Sequence, residues 1–148
     1  MGLDMYLYAD RYVSSYFNEG DDEKAETIKK LFPELQIGEI KNIRVEVAYW
    51  RKANAIHNWF VKNVQDGVDD CGNYYVSRDK LKELIALIQE VLDNKGSANK
   101  NLPTAAGFFF GSTDIDDYYF EDLKYSLETL TKVSELPENL ELYYHASW

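Results

Sequence analysis

The sequence predicts a single α+β domain, built from a small, mainly antiparallel sheet with three or four packed helices. Two patterns lead to this prediction. Apolar residues alternate with polar ones in short runs, as in residues 3–8, and this period of two indicates strands with one buried face. Elsewhere the period is helical, most clearly after Ser77. A chain of 148 residues is long enough for one hydrophobic core, so residues 1–148 are expected to form one domain.

The first elements follow from these periods. Leu3, Met5 and Leu7 alternate with an aspartate and two tyrosines, which predicts the first strand. Residues 21–32 have an amphipathic helical pattern, and Pro33 is expected to end that helix.

The middle of the chain alternates between the two periods. Residues 43–49 predict a second strand, and residues 50–65 predict a helix in which Trp50 begins the apolar face and Asn54 lies on the polar face. A glycine-bracketed turn and a brief strand at residues 74–76 follow.

The second half contains the longest helices. Ser77 is expected to cap a helix that runs to about residue 93, and residues 94–103 are expected to form a polar, mobile loop. Residues 108–110 predict a short buried segment or strand, residues 114–133 a helix, and residues 140–145 a final strand.

The net charge of −10 is unevenly distributed and limits the class of partner. Residues 101–148 contain nine acidic residues against two lysines, which gives −7, whereas the first hundred residues carry −3. Duplex DNA binding requires a basic face, so direct binding to duplex nucleic acid is not expected. A basic protein partner, or imitation of nucleic acid toward a nucleic-acid-binding protein, fits the charge, and so does a role in solubility alone.

The sequence also predicts a cytoplasmic protein. No segment has the roughly 20 apolar residues that span a bilayer, and the acidic N-terminal segment lacks the basic region of a signal peptide. The single cysteine, Cys71, excludes an internal disulfide framework and suits a reducing compartment. No membrane contact is expected, and the composition leaves the oligomeric state open.

The only locally basic surface is predicted on the helix of residues 50–65. Arg51, Lys52 and Lys62 occur there without an acidic neighbour, and Trp59 falls among the lysines on the polar side. An aromatic ring beside cations is typical of sites that stack a base and neutralise its phosphate. With His57 on the apolar face, these residues are candidates for binding an anionic, nucleotide-like ligand. The alternatives are that His57 is a core residue and that another segment or a partner chain covers Trp59.

A second candidate surface lies on the helix that begins near residue 114. Its outward face combines carboxylates and tyrosines, and tyrosine is enriched at protein interfaces. The alternative explanation is local: Ser112 or Thr113 caps this helix, and acidic residues favour the positive end of its dipole. The candidate partner-binding residues are Asp114, Asp117, Tyr118, Glu121 and Tyr125.

No motif for catalysis, metal binding or cofactor binding is present. Asp69 and Asp70 lie in a turn, but the spacing of its acidic residues and glycines does not match a calcium loop, and aspartates commonly cap turns. The segment from Gly107 to Gly111 lacks the spacing and the lysine of a phosphate loop. A small enzyme that uses His57 with Cys71 or with a carboxylate is the alternative to a binding protein. No metal ion and no cofactor is expected.

Four stretches of the chain together resemble a family of small proteins encoded by tailed bacteriophages and prophages. They are GLDMYLY at residues 2–8, YWRKANAIHNWFVKNVQDGVDDCGNYYVSRDKLKEL at 49–84, GFFFGSTDIDDYYFEDL at 107–123, and YYHASW at 143–148. The resemblance implies a protein that acts inside an infected bacterium. It further implies a non-enzymatic inhibitor of a host defence system, whose target is a host defence protein or a nucleotide-like signal. A structural role in the phage particle is the remaining alternative.

Overall fold

The computed structural model describes residues 2–148 and shows the predicted α+β fold. Four antiparallel strands form one sheet in the order β2-β1-β4-β3. The strands are β1 (Asp4–Tyr12), β2 (Asn42–Arg51), β3 (Asn73–Val76) and β4 (Glu141–Ser147). The helices are α1 (Asp21–Lys29), α2 (Asn54–Asn63), α3 (Arg78–Asp93), α4 (Ala98–Asn101) and α5 (Asp117–Ser134), with short 3₁₀ turns at Pro33–Leu35 and Lys95–Ser97.

The alternation in β1 separates the two faces of the sheet as the sequence predicts. Leu3, Met5 and Leu7 are fully buried and form the centre of the core. The core also contains apolar residues of α2, α3 and α5. On the opposite face, Tyr6 pairs with Tyr49 of β2 across the strands, and that face remains open to solvent. The protein therefore has one layer of helices on one side of its sheet.

Helix α2 begins later than the sequence predicts. Trp50 belongs to β2, where it pairs with Met5, and the helix starts at Asn54. Trp50 is buried, and its indole Nε1–H donates a 2.8 Å hydrogen bond to the Ser126 hydroxyl of α5. This bond gives the indole N–H a partner in the core, and the pairing with Met5 keeps Trp50 in the strand.

Residues 94–103 are more ordered than a polar loop. They form the 3₁₀ turn Lys95–Ser97 and helix α4, and Ala98 and Leu102 are each 1% exposed. The hydroxyl of Tyr119 donates a 2.8 Å hydrogen bond to the Leu102 carbonyl. The prediction of a polar loop was wrong, because these two apolar residues anchor the segment to the core.

Residues 105–116 differ from the prediction in two ways. Phe108 and Phe109 form a turn and not a strand, and only Phe110 of the three phenylalanines is buried. Helix α5 is capped by Asp116, whose Oδ1 accepts a 3.1 Å hydrogen bond from the Tyr119 amide. Ser112 and Thr113, the predicted caps, lie before the helix, because the chain stays extended at Asp116.

The connection between β1 and β2 packs little against the rest of the fold, and we call it, together with Tyr12 at the end of β1, the arm (residues 12–41). It contains α1, which ends at Lys29 and is therefore shorter than the predicted helix of residues 21–32. Leu31 and Phe32 of the predicted apolar face are exposed. The base of the arm is fixed by buried Asp21, which accepts a 2.8 Å ion-paired hydrogen bond from Arg11.

Asn54 fixes the path of residues 105–112 across the start of α2. Its side-chain Nδ2 donates to the carbonyls of Phe110 (3.1 Å) and Ser112 (2.8 Å). Its Oδ1 accepts a 3.1 Å hydrogen bond from the Ala105 amide. Asn54 is only 3% exposed, in contrast to its predicted place on the polar face of the helix. The hydrogen bonds of this one side chain thus hold in place a segment that has no regular secondary structure.

Replacing Asn54 with Ala is expected to lower the free energy of unfolding by about 2–4 kcal/mol, because it leaves buried backbone groups without partners. Urea denaturation of the purified variant measures this change. Asn63→Ala is the matched control, because Asn63 lies on the same helix, is exposed and bonds only to the Trp59 carbonyl. Equal stability of the two variants would contradict the role of Asn54.

Candidate functional site

A cleft of about 280 Å³ lies between the start of α2 and the start of α5. Arg51 and Lys52 line one side, and the segment leading into α5 lines the other. The two surfaces predicted from the sequence therefore meet here in part, since Asp114 and Tyr118 line the same cleft as the two cations.

The basic side of the cleft is built by the chain leaving β2. Arg51 Nη1 lies 3.4 Å from the Asp4 carboxylate, so its charge is partly neutralised. Lys52 has a left-handed backbone conformation, with φ of 59°, which is uncommon for a residue other than glycine. Its amide donates a 2.8 Å hydrogen bond to the Leu3 carbonyl, which ties the turn to β1.

Close packing against Gly111 holds the Lys52 side chain in place. A Cβ atom on Gly111 would lie 3.2 Å from Lys52 Cβ, and Gly111 has a positive φ of 87°. Only glycine fits this position without strain, because a side chain would crowd Lys52 and disfavour the backbone conformation. Within residues 2–148 the Lys52 ammonium group forms no ion pair.

The acidic side of the cleft carries unneutralised charge. Three carboxylates line it, those of Asp114, Asp116 and Asp122. Two further acidic residues, Asp117 and Glu121, lie on the adjoining exposed turn of α5. None of these five forms an ion pair within residues 2–148, whereas acidic residues elsewhere, such as Asp10 and Asp21, do. The start of α5 thus presents a concentrated negative charge to solvent.

Asp122 has the most perturbed carboxylate of this group. Burial, with smaller contributions from the charges of Glu121 and Asp116, raises the pKa of Asp122 to about 6. No basic side chain pairs with it within residues 2–148. A half-buried carboxylate without a counter-ion gains most from a cation brought by a ligand.

Two tyrosines give the cleft an aromatic wall. Tyr119 is buried, and burial raises the pKa of its phenol to about 12, so it remains a neutral hydrogen-bond donor to Leu102. Tyr118 is 77% exposed beside the cleft and is therefore free to contact a partner.

The predicted ligand-binding residues do not form one surface. Arg51 and Lys52 line the cleft, and Lys62 is exposed outside it. Trp59 is only 7% exposed and contacts Phe60 edge to face, so of the two alternatives for this indole the structure shows the one in which the protein itself covers it. The stacking platform predicted for a nucleotide-like ligand is not available on this helix.

His57 is a core residue with both ring nitrogens hydrogen-bonded. Nδ1 lies 2.8 Å from the Tyr144 hydroxyl, and Nε2 lies 2.9 Å from Asp69 Oδ2. His57 is 1% exposed and Tyr144 is fully buried, which raises the pKa of the Tyr144 phenol well above its usual value. The other Asp69 oxygen accepts a hydrogen bond from the Trp148 indole. This network links α2, β4 and the turn before β3, and it runs from buried His57 out to the exposed Trp148.

The predicted partner-binding residues are all exposed. Asp114 and Tyr118 line the cleft, whereas Asp117, Glu121 and Tyr125 lie on the face of α5 beside it. Tyr125 also packs edge to face on Trp50, with ring centroids 6.3 Å apart, so it is anchored while 45% exposed.

Sequence reasoning missed Asp122 as a site residue. It lies three positions after buried Tyr119 and next to buried Leu123, at the border of the apolar stripe of α5. A carboxylate at that border is the pattern that signals partial burial. Asn54 gave no comparable signal, because its partners are backbone groups more than 50 residues away.

In residues 2–148, no group of three or more His, Cys, Asp or Glu side chains is arranged to hold a metal ion. None of the helices in that part of the chain has both the length and the apolar composition required to cross a bilayer. Comparisons with protein-family models, with curated proteins and with solved structures found no match to this chain.

Asp122→Asn is expected to stabilise the protein at pH 7 but not at pH 4. The pKa of about 6 in the folded state exceeds the ordinary aspartate value of about 3.9, so the folded state binds the proton more tightly. The stability that this proton contributes is present below about pH 4 and is lost as the pH rises through 6.

The asparagine side chain is neutral at both pH values, so the variant does not lose this stability as the pH rises. At pH 7 it should be about 1 kcal/mol more stable than the wild-type protein, a value reduced to allow for solvent screening of a half-buried group. Urea denaturation of both proteins at the two pH values measures the difference. If the difference in stability between the two proteins is the same at both pH values, the pKa of the Asp122 carboxylate is not raised.

Proposed function

We propose that the protein is a non-enzymatic binding protein that blocks a basic surface of another protein with the start of α5 and the adjoining cleft. The observation that carries this proposal is the set of five carboxylates between Asp114 and Asp122, none of which is ion-paired within residues 2–148. Self-repulsion among them is unfavourable in the free protein, and a cationic partner relieves it.

The cleft suits a lysine or arginine side chain of that partner. Asp122 supplies a half-buried carboxylate, and the exposed ring of Tyr118 supplies a face for a cation–π contact. Tyrosine and carboxylate around a small depression match the composition of interfaces whose energy is concentrated in a few central contacts. Charge on the rim, at Asp117 and Glu121, speeds the encounter with a basic partner.

A nucleotide-like anion is the less favoured ligand. Arg51 and Lys52 line the cleft, but Asp114, Asp116 and Asp122 line it as well, and Arg51 is already paired with Asp4. An anionic ligand would lie beside three carboxylates, which costs electrostatic energy.

An enzyme built on His57 is also less favoured. Both of its ring nitrogens are bonded inside the core, and no hydrogen bond joins it to Cys71 within residues 2–148. A general base must be within reach of the proton it removes from a substrate, and buried His57 has no open approach.

The resemblance to small bacteriophage proteins supplies the biological setting of the proposal. In that setting the protein acts in the cytoplasm of an infected bacterium, and its partner is a protein of a host defence system. A basic partner fits because proteins that bind nucleic acid carry basic surfaces. A structural role in the phage particle would use the same surface toward another phage protein.

The charge-reversal pair Asp117→Lys with Glu121→Lys tests the proposal. First, the protein is expressed in bacteria that carry different defence systems, and the system that loses its protection identifies the partner. Binding of the purified partner is then measured for each variant by calorimetry over a range of salt concentrations. The pair should weaken binding by roughly tenfold or more at low salt and reduce the salt dependence.

Glu135→Lys with Glu138→Lys is the matched control. It changes the net charge by the same amount, and both residues are exposed at the other end of α5. If both pairs weaken binding equally, net charge and not the α5 surface is responsible, and the proposed site is wrong. The proposal would also be overturned if the variant with Asp117→Lys and Glu121→Lys binds the partner as tightly as the wild-type protein.

A further inference from the structure

The arm exposes a set of large apolar side chains that no other segment within residues 2–148 covers. Tyr16 and Ile37 are 89% and 90% exposed, close to the exposure of an unfolded chain. Helix α1 packs extensively against no other element. The set, which we call the arm patch, consists of Tyr12, Tyr16, Phe17, Leu31, Phe32, Leu35 and Ile37.

The arm patch belongs to a segment that is held together by hydrogen bonds of polar side chains at its surface. Lys29 Nζ donates a 2.8 Å hydrogen bond to the Gly38 carbonyl, and Gln36 Nε2 donates to the carbonyls of Phe32 (3.0 Å) and Lys29 (3.1 Å). These polar side chains hold the tip together, and the apolar ones point to solvent. These hydrogen bonds present the apolar groups in a preorganised form.

The exposed area is enough for a stable interface. At the areas usual for aromatic and aliphatic side chains, the arm patch exposes on the order of 800 Å². A standard protein interface buries about 800 Å² on each partner. Monomeric proteins rarely leave such an area open.

The charge distribution favours a second copy of this chain as the partner that covers the arm patch. Residues 12–18, YVSSYFN, contain no charged residue, and residues 31–38, LFPELQIG, contain only Glu34. A protein with a net charge of −10 repels itself over most of its surface, and the arm patch is where that repulsion is weakest. The acidic cleft lies at the opposite end of the β1–β2 pair, about 27 Å away at the usual rise per residue.

The arm also has the shape that a two-fold contact requires. A two-fold interface places the same surface on both subunits, so this surface must contain both protrusions and hollows. Leu31 is 72% exposed on the arm. A hollow of about 210 Å³ is lined in part by Phe32, Leu35, Ile37 and Ile40.

We infer that two copies of this chain form a homodimer through the arm patch, with the acidic clefts at the two far ends. This inference does not depend on the proposed function. If both hold, the dimer presents two acidic surfaces, and a partner with two basic sites binds it more tightly than it binds one copy.

Sedimentation velocity of the purified chain from about 1 to about 100 µM tests the inference. The wild-type protein should sediment as a species of twice the 17.2 kDa chain mass, and 1 M salt should not dissociate it, because apolar contacts are not screened. Ile37→Glu and Tyr16→Glu should each raise the dissociation constant of the dimer by roughly tenfold or more, because each places a charge in an apolar contact.

Val68→Glu is the matched control. Val68 is also an exposed apolar residue, at 51%, but it lies in the turn before β3, outside the arm. The control should remain dimeric, and circular dichroism should show all variants folded, since none of these side chains is buried.

A wild-type chain that is monomeric over the whole concentration range would overturn the inference. In that case, protection of the arm from proteolysis only when another protein is added would assign the arm patch to a foreign partner. A dimer that the two arm variants leave intact would overturn it as well, because the contact would then lie elsewhere.

Discussion

The side-chain amide of Asn54 holds residues 105–112 across the start of α2, and the cleft depends on this attachment. Each of its hydrogen-bonding groups is used, with two donations to carbonyls and one acceptance from an amide. One of these bonds is buried and the other two are partly buried, so water replaces them poorly when they break. Because residues 105–112 lead directly into α5, the same bonds determine where the first acidic turn of α5 lies.

The electrostatic character of the cleft follows from that placement. The segment brings Asp114 and Asp116 opposite Arg51 and Lys52, and it partly buries Asp122. An acidic residue exposed on an isolated helix would be solvated at little cost, but here the carboxylates are crowded and have no counter-ion among residues 2–148. The apolar arm lies at the far end of the β1–β2 pair. The charged surface and the apolar surface are therefore separated along the length of these two strands.

The parts of the fold that the sequence predicts are those determined by local periodicity. The alternation of Leu3, Met5 and Leu7, and the Ser77 cap of α3, both appear in the structure. The errors occurred where a long-range contact decides the outcome. Trp50 lies in a strand, and its indole bonds to Ser126, 76 residues later. Trp59 is buried although it falls between Lys52 and Lys62 on the predicted helical wheel. The acidic surface was predictable from composition, whereas its meeting with Arg51 and Lys52 depends on bonds to Asn54 that no local pattern reveals.

Hydrogen exchange at the Ala105 amide tests this account most directly. Ala105 lies outside regular secondary structure, so its amide would exchange within seconds in a flexible segment. If Asn54 Oδ1 accepts its hydrogen bond as described, the amide should exchange as slowly as those of the flanking helices, with an opening free energy of several kcal/mol. Exchange at the rate of an unstructured peptide would show that residues 105–112 are not fixed and that the cleft is not preformed.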